Sequence, residues 1–305
     1  MRISEKIGDR VVIASVSGGK DSTAMCLHLQ ELGIPYRAVF LDTGWENAAT
    51  YQYLKEYLPG VIGPIEWVTP DIKVKPEVED LIRKYESRMG HPSAMVRLIF
   101  NKKSFPGRIR RFCTQQLKVF PIRDYFKAME DEPINAIGIR AAESKARSKM
   151  PEWEHNEGYD CDTWRPLIRW TEQDVIDIHT RHGVRPNPNY LSGASRVGCW
   201  PCIYARKSEI RHIADTDPDR ISLLEDLEKE VSQSCNALRA WFVNRLPKKR
   251  ADGTVSGDPW PIDQAVQWSR TKDNNGRQFE LFTAPPRERG CMRWGLCDTG
   301  ISDEN

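Results

Sequence analysis

No apolar run in this sequence approaches the roughly twenty residues that carry a helix across a bilayer, so no membrane span is expected. The opening Met1-Arg2-Ile3-Ser4-Glu5-Lys6 lacks the apolar core of an export signal, and the cytoplasm is the expected location. Net charge is only +2, which excludes a strong overall pull towards a polyanion. With no export signal, the eight cysteines argue against a disulfide framework and for metal or redox chemistry. What is present is ordinary for a folded protein. Of 305 residues, 39% are hydrophobic and 29% charged, enough to build one large or two modest cores.

The first half alternates strand-like and helix-like segments. Val11–Val16 reads as a buried parallel strand, Ser22–Leu32 as an amphipathic helix stopped by Gly33, and Tyr36–Leu41 as a second strand. Helices are expected over Asn47–Leu58, Lys75–Met89 and Thr114–Met129, the last despite Pro121, with strands at Ile65–Val68 and Ile134–Ile139. Thr171-Glu172-Gln173-Asp174 opens a further helix as a capping-box-like start. This alternation predicts an α/β fold, a doubly wound, Rossmann-like, mostly parallel sheet. Beyond Cys202 the texture changes: Ile210–Leu246 is charged and helical, and Pro247–Arg289 is irregular. The expected division is a nucleotide-binding domain over 1–203 and a smaller helical and irregular region over 204–305.

Ser17-Gly18-Gly19-Lys20-Asp21-Ser22 stands between the first strand and its helix. Glycines there let successive backbone N–H groups converge on phosphate oxygens, and the helix adds the positive end of its dipole. Lys20 adds a point charge, and Ser17 and Ser22 add hydroxyl donors. The spacing differs from that of nucleoside-triphosphate P-loops, and a plain strand-to-helix turn is the alternative.

That hexapeptide resembles the signature of the N-type ATP pyrophosphatases, the adenine nucleotide alpha-hydrolase group. More of the chain resembles its phosphoadenosine phosphosulfate (PAPS) reductase-like branch. The matching segments are Leu41-Asp42-Thr43-Gly44, Arg111-Phe112-Cys113-Thr114-Gln115-Gln116-Leu117-Lys118, Gly138-Ile139-Arg140-Ala141-Ala142-Glu143-Ser144, Pro166-Leu167-Ile168-Arg169-Trp170, Asn187-Pro188-Asn189-Tyr190 and Gly198-Cys199-Trp200-Pro201-Cys202. Together they cover residues 10 to 205 in order. The resemblance implies ATP or a sulfonucleotide over the strand ends. Asp42 would then meet the adenosine or Mg²⁺, and Lys20, Asp21, Lys118, Arg140 and Arg147 the phosphates or an activated intermediate.

Cys199-x-x-Cys202 places two thiols within reach of one metal centre, outside any haem or thioredoxin context. The reductases, and the DNA phosphorothioation enzymes that this segment is similar to, carry a [4Fe–4S] cluster with a ligand pair here. Where reductase-type relatives have two adjacent cysteines this chain has Phe112-Cys113, so only Cys113 carries over. Cys297 or Cys291 would complete four thiolates, or three cysteines would leave one iron open. A four-thiolate zinc site is the rival. Cys26, Cys161 and Cys235 read as packed thiols.

Three functions follow. An ATP-consuming enzyme would adenylate a substrate for sulfur transfer, with a sulfur donor such as a cysteine desulfurase. A sulfonucleotide reductase is the second, although the family's Glu-Cys-Gly-x-His nucleophile motif is absent and Gly295-Leu296-Cys297-Asp298 is the nearest segment. A nucleotide-sensing subunit without turnover is the third. The basic residues between Arg97 and Lys127, interleaved with Phe100, Phe105 and Phe112, suit a nucleic-acid substrate through phosphate neutralisation and base stacking.

Overall fold

Val11 to Val16 is apolar except for Ser15, and it forms the central strand β1 (Val11–Val16) of a six-stranded sheet. The computed structural model describes residues 3–108, 110–234, 240–242, 248–249, 255–256, 260–271 and 294. Around β1 the chain runs through α1 (Ile3–Ile7), α2 (Lys20–Glu31), β2 (Tyr36–Leu41), α3 (Ala48–Gln52), α4 (Pro59–Ile62) and β3 (Ile65–Val68). It continues through α5 (Glu79–Met89), α6 (Ala94–Lys102), α7 (Phe112–Thr114), α8 (Phe120–Lys127) and β4 (Pro133–Ile137). A hairpin of β5 (Trp153–Asn156) and β6 (Cys161–Trp164) precedes α9 (Glu172–Arg181), α10 (Pro188–Leu191), α11 (Lys207–Thr216) and α12 (Pro218–Ser234). The two-residue strands β7 (Lys248–Lys249) and β8 (Val255–Ser256) pair with each other, and α13 (Ile262–Ser269) follows.

Strand order is β3-β2-β1-β4-β6-β5, parallel except for the antiparallel pair β5–β6. The fold is α/β, doubly wound and Rossmann-like. The chain builds outward from β1 to β3, then returns to lay β4 against the other side of β1. The crevice for a ligand in such a sheet opens where the order reverses, at the carboxyl ends of β1 and β4. Alternation along β1 separates two faces. Val12, Ala14 and Val16 pack with Met25 and Leu29 of α2 and with Val175 and Ile178 of α9. Ile13 packs with Val39 and with Ile122 and Phe126 of α8. Burying each such side chain contributes about 1.5–3 kcal/mol.

The helical expectations hold in outline and fail in detail. Tyr53–Tyr57 and Gln115–Val119 are π-helical turns inside two segments expected to be plain α-helix. Pro121 lies directly after the π-helical turn, at the second residue of α8, and the helix continues through it. The helix expected over Asn47–Leu58 runs on past Leu58 through α4. Strands β5 and β6 and helix α6 were not expected, and α13 falls inside a stretch read as irregular. No helix among the described residues is long and apolar enough to cross a membrane.

Another core lies beyond the sheet. Trp45, Ile82, Leu98, Ile99 and Leu117 pack with Leu224, Leu227 and Val231 of α12 and with Ile262 and Ala265 of α13. Residues on both sides of position 204 therefore share it. Within it Glu228 is 1% exposed and accepts the backbone N–H groups of Phe242 at 2.8 Å and Ile262 at 3.0 Å. Burial lifts its pKa from 4.5 to about 7, the two N–H donors oppose that rise, and Asp263 and Glu225 reinforce it. A carboxyl group raised in this way gives stability that is fully present below 4.5 and is lost as pH rises through about 7. The melting midpoint is expected to fall between about pH 5 and about pH 8, this group accounting for up to about 3 kcal/mol. Glu228→Gln is expected to flatten that part of the profile, and a variant profile parallel to the parent's would refute the assignment.

Candidate functional site

The turn after β1 offers backbone donors of the kind that can hold an anion. Gly18 has φ +70°, and a Cβ there would lie 3.2 Å from both Leu54 and Thr50, so only glycine fits without strain. Ser22 Oγ accepts from the Ser17 backbone N–H at 3.1 Å and lies 3.0 Å from the Gly19 carbonyl, to which it donates. Ser17 Oγ is 3.2 Å from Ser22 Oγ. The serine pair thus braces the turn from inside. The backbone N–H groups of Gly19, Asp21 and Ser22 have no hydrogen-bond partner among the described residues. Unpaired donors at the start of a twelve-residue helix are the physical requirement for holding phosphate.

Side chains from three other elements frame this turn. Lys20 is 9% exposed; its Nζ lies 3.6 Å from Asp21 Oδ2, 3.4 Å from Glu172 Oε1 of α9, and 5.2 Å from the centre of the Tyr190 ring. The Lys20 backbone N–H donates to Tyr190 Oη at 3.2 Å, and burial raises the tyrosine's pKa. Arg140, just past the end of β4, donates from Nε to Asp21 Oδ1 at 2.5 Å. That close approach depends on Gly138, where a Cβ would stand 2.6 Å from the Asp21 carbonyl oxygen. Glu143 accepts the Arg140 backbone N–H at 2.7 Å and pairs with Arg147. Asn187 donates to the Gly18 carbonyl at 3.1 Å and, with Asn189, to Thr50 Oγ1. Trp294 stands with Lys20, Glu172, Ile176 and Tyr190 around one small pocket.

Asp42 follows β2 at the same edge of the sheet. Its Oδ1 accepts from the Gly44 N–H and from Tyr51 Oη, both at 2.8 Å, and its Oδ2 has no partner among the described residues. Tyr51 Oη also lies 2.9 Å from Glu46 Oε2, so one hydroxyl proton serves two carboxylates in turn. Burial first, and then these two carboxylates, push the tyrosine's pKa far up.

Glu46 carries the network to the cysteines. It is 6% exposed, accepts from Thr43 Oγ1, and meets Cys199 Sγ at 4.0 Å. Residues 45 and 46 run beside the cysteine loop: Glu46 bridges Cys199, Trp200 N–H donates to the Trp45 carbonyl at 2.8 Å, and Trp45 Nε1 donates to the Pro201 carbonyl at 3.1 Å. Arg220 of α12 donates to the Trp200 carbonyl at 2.6 Å and the Trp45 carbonyl at 3.1 Å, and stacks 4.0 Å over the Trp45 ring. The Cys-x-x-Cys loop is thereby locked to the end of β2.

Cys113, Cys199 and Cys202 act electrostatically on one another and on Lys118, which places them in one neighbourhood. Burial pushes the Cys199 thiol up to about 12 while the Lys118 charge pulls it back. Burial also raises Cys113, and the Cys199 charge raises Lys118. Lys118 therefore has Cys199 as its strongest electrostatic partner, followed by Glu46 and then Cys202 and Cys113. Among the described residues no group of three or more His, Cys, Asp or Glu side chains is arranged to hold a metal ion. Cys291, Cys297 and Cys235 lie outside the described residues.

The basic stretch differs from its expected form. Phe100 and Phe105 are 2% and 4% exposed, so these two rings serve the core and offer no stacking face, while Phe112 is half-buried against it. Arg97 is committed to Glu79 and Glu86 at 2.7 and 3.1 Å. Glu46, Tyr51, Glu172 and Arg220 were missed in the sequence. Glu46 stands four residues after Asp42, the one signal that pointed to it, and Arg220 carries no local signal at all.

Comparison with known proteins identifies the family. Residues 11–205 match the phosphoadenosine phosphosulfate reductase domain. A 37.8 kDa protein from the gpa 5′ region of Escherichia phage 186 is 33% identical over 94% of this chain and 96% of its own length. The adenosine 5′-phosphosulfate reductase of Streptomyces coelicolor is 36% identical over 65% of this chain and 73% of its own. The phosphoadenylyl-sulfate reductase of Candida auris, solved as a phosphate complex, aligns with a TM-score of 0.46 at 17% identity over 64% of this chain and 84% of that one. With the domain match covering more than half of its length, this chain belongs to the phosphoadenosine phosphosulfate reductase family.

Proposed function

We propose that this protein is an ATP pyrophosphatase-type enzyme that adenylates an acceptor for sulfur transfer. The observation that carries the reading is the complete turn at Ser17–Ser22, with unpaired backbone donors beside Lys20 and with Asp21 tied to Arg140. An acceptor oxygen attacks the α-phosphorus of ATP, the bond to the β-phosphate oxygen breaks, and pyrophosphate leaves. A sulfur nucleophile then displaces AMP and takes over the acceptor's bond. Lys20 and the free N–H groups stabilise charge on the departing pyrophosphate, a contribution of about 10²–10³ in rate for one well-placed donor. Arg140, held by Asp21, faces the same crevice. Asp42, with Oδ2 unpaired, suits a shared magnesium ion.

Cys113, Cys199 and Cys202 are the residues that would hold an iron–sulfur cluster, since soft thiolate donors suit iron–sulfur centres and zinc alike. A bound cluster would supply electron storage or an open iron for sulfur. The proposed adenylation needs neither. Cys297 or Cys291 stays the proposed fourth ligand.

A sulfonucleotide reductase is the second reading, favoured by the family match and by relatives named adenosine 5′-phosphosulfate reductases. Given ATP and PAPS in parallel, the protein is expected to release pyrophosphate from ATP when its acceptor is present. It is expected to form no sulfite from PAPS with thioredoxin. Reductase chemistry needs an activated thiolate at sulfur, and the sequence has no histidine beside Cys291 or Cys297. Sulfite release that disappears in Cys297→Ser would reverse the ranking.

A further inference from the structure

Tyr204 is an exposed aromatic ring, 40% accessible, two residues beyond Cys202. Arg108 lies 6.0 Å and Arg111 5.4 Å from its ring centre. Arg108 is held in place, donating from Nε to the Ile203 carbonyl and from Nη2 to the Ala205 carbonyl, both at 3.3 Å. Arg111 leads into the short helix that carries Cys113. Arg110 beside it is exposed, and none of the three arginines pairs with a carboxylate among the described residues. Elsewhere on this molecule exposed arginines such as Arg37, Arg88 and Arg181 are paired with acids. Two guanidinium groups that pair with no carboxylate among the described residues thus flank one exposed ring beside the cysteine-bearing segments, with exposed Arg110 next to Arg111 in the chain.

We infer that this patch binds an unpaired strand of RNA, its phosphates on Arg110 and Arg111 and a base stacked on the Tyr204–arginine platform. Guanidinium planes and a tyrosine ring offer flat, cationic stacking surface, which a base with an open face fits and a paired, stacked duplex does not. Unpaired bases are the ordinary condition of RNA loops and ends, whereas DNA bases are normally covered, which decides between the two. Both sides of the patch connect directly to cysteine-bearing segments, so a strand held there lies next to the site proposed to modify it. The inference deepens the adenylation reading by naming its acceptor class, but the binding itself does not depend on ATP.

Fluorescence anisotropy with labelled oligouridylate of about twenty nucleotides, without ATP and across a potassium chloride series, tests it. Binding is expected to weaken steeply with salt. Arg110→Ala with Arg111→Ala is expected to flatten the plot of log affinity against log salt by about 1.4, at about 0.7 per phosphate contact. Tyr204→Ala is expected to weaken binding about tenfold without changing that slope, and Tyr204→Trp to restore it. All these side chains are exposed, and equal melting midpoints of the variants would confirm intact folding. Affinity unmoved by these changes overturns the inference, as does equal or tighter binding of oligothymidylate or of duplex. ATP titration in the same variants is expected to be unaltered, so failure here leaves the adenylation reading untouched, and loss of ATP binding in loop variants leaves this one untouched.

Discussion

Lys20→Ala is expected to lower affinity for a non-hydrolysable ATP analogue by about 100-fold or more and to reduce pyrophosphate release to background. The side chain is nearly buried, and Lys20 is the first residue of α2, with its ammonium group beside Asp21 and Glu172. Its charge is already balanced in the free protein by Asp21 and Glu172, so the lysine is pre-positioned rather than recruited by the ligand. Removing it takes one positive charge from beside Asp21 and Glu172, so the local field turns more negative towards incoming phosphate even though Asp21 keeps Arg140. Folding should be spared, because alanine is the best helix former and the position opens a helix. Asp21→Asn is expected to be damaging by another route. It keeps the shape but weakens the hold on Arg140, so catalysis should fall more than binding. Calorimetric titration together with a pyrophosphate assay separates these effects, and unchanged affinity in both variants would remove the loop from the mechanism.

The second large effect is expected at the cysteines. Protein purified without oxygen should be brown and contain iron and sulfide at about four each per chain. Cys113→Ser, Cys199→Ser and Cys202→Ser should each bleach it. Cys161→Ala serves as the control, because that thiol is 1% exposed and packs against Ile13 and Val39 in a different core. Colour is the decisive readout here, since it requires no knowledge of substrate. A free Cys199 thiol would be a poor nucleophile at neutral pH, given how far burial raises it. Stoichiometric zinc without labile sulfide would instead establish the zinc reading, and a colour that survives all three changes would dissociate these residues from any cluster.

Much of the fold was legible because its signals are local. An apolar run ended by glycines and followed by a 3.6-residue pattern announces strand, turn and helix, and β1, the phosphate turn and α2 follow that order. β2 and β3 were also legible, as short segments rich in aliphatic and aromatic residues. The β5–β6 hairpin escaped because Trp153-Glu154-His155-Asn156 has one apolar residue in four. What holds it is a cross-strand pair, Trp153 stacked on Trp164 at 4.9 Å, which no local pattern encodes. The wide turns before Leu58 and Phe120 likewise have no signature in composition.

The site divides in the same way. Lys20, Asp21 and the two glycines belong to one contiguous segment, so their shared purpose is written along the chain. Arg140 reaches Asp21 only because β4 is laid beside β1, and only at a glycine that admits the contact. Cys113 joins Cys199 and Cys202 through the packing of α6 and Leu117 into a core completed by α12, while Arg220 pins the cysteine loop to Trp45. Whether a ring in a basic stretch faces water or the core is decided by which surface its neighbours cover. For that reason Phe100 and Phe105 turned inward and Tyr204 became the exposed ring between the arginines. Sequence by itself determined the sheet's central strands and the phosphate turn, where bonding partners are a few residues apart. Tertiary structure alone decided the cysteine neighbourhood, the Asp42–Tyr51–Glu46 link and the exposed arginine patch, because burial and pairing there depend on segments brought together from distant parts of the chain.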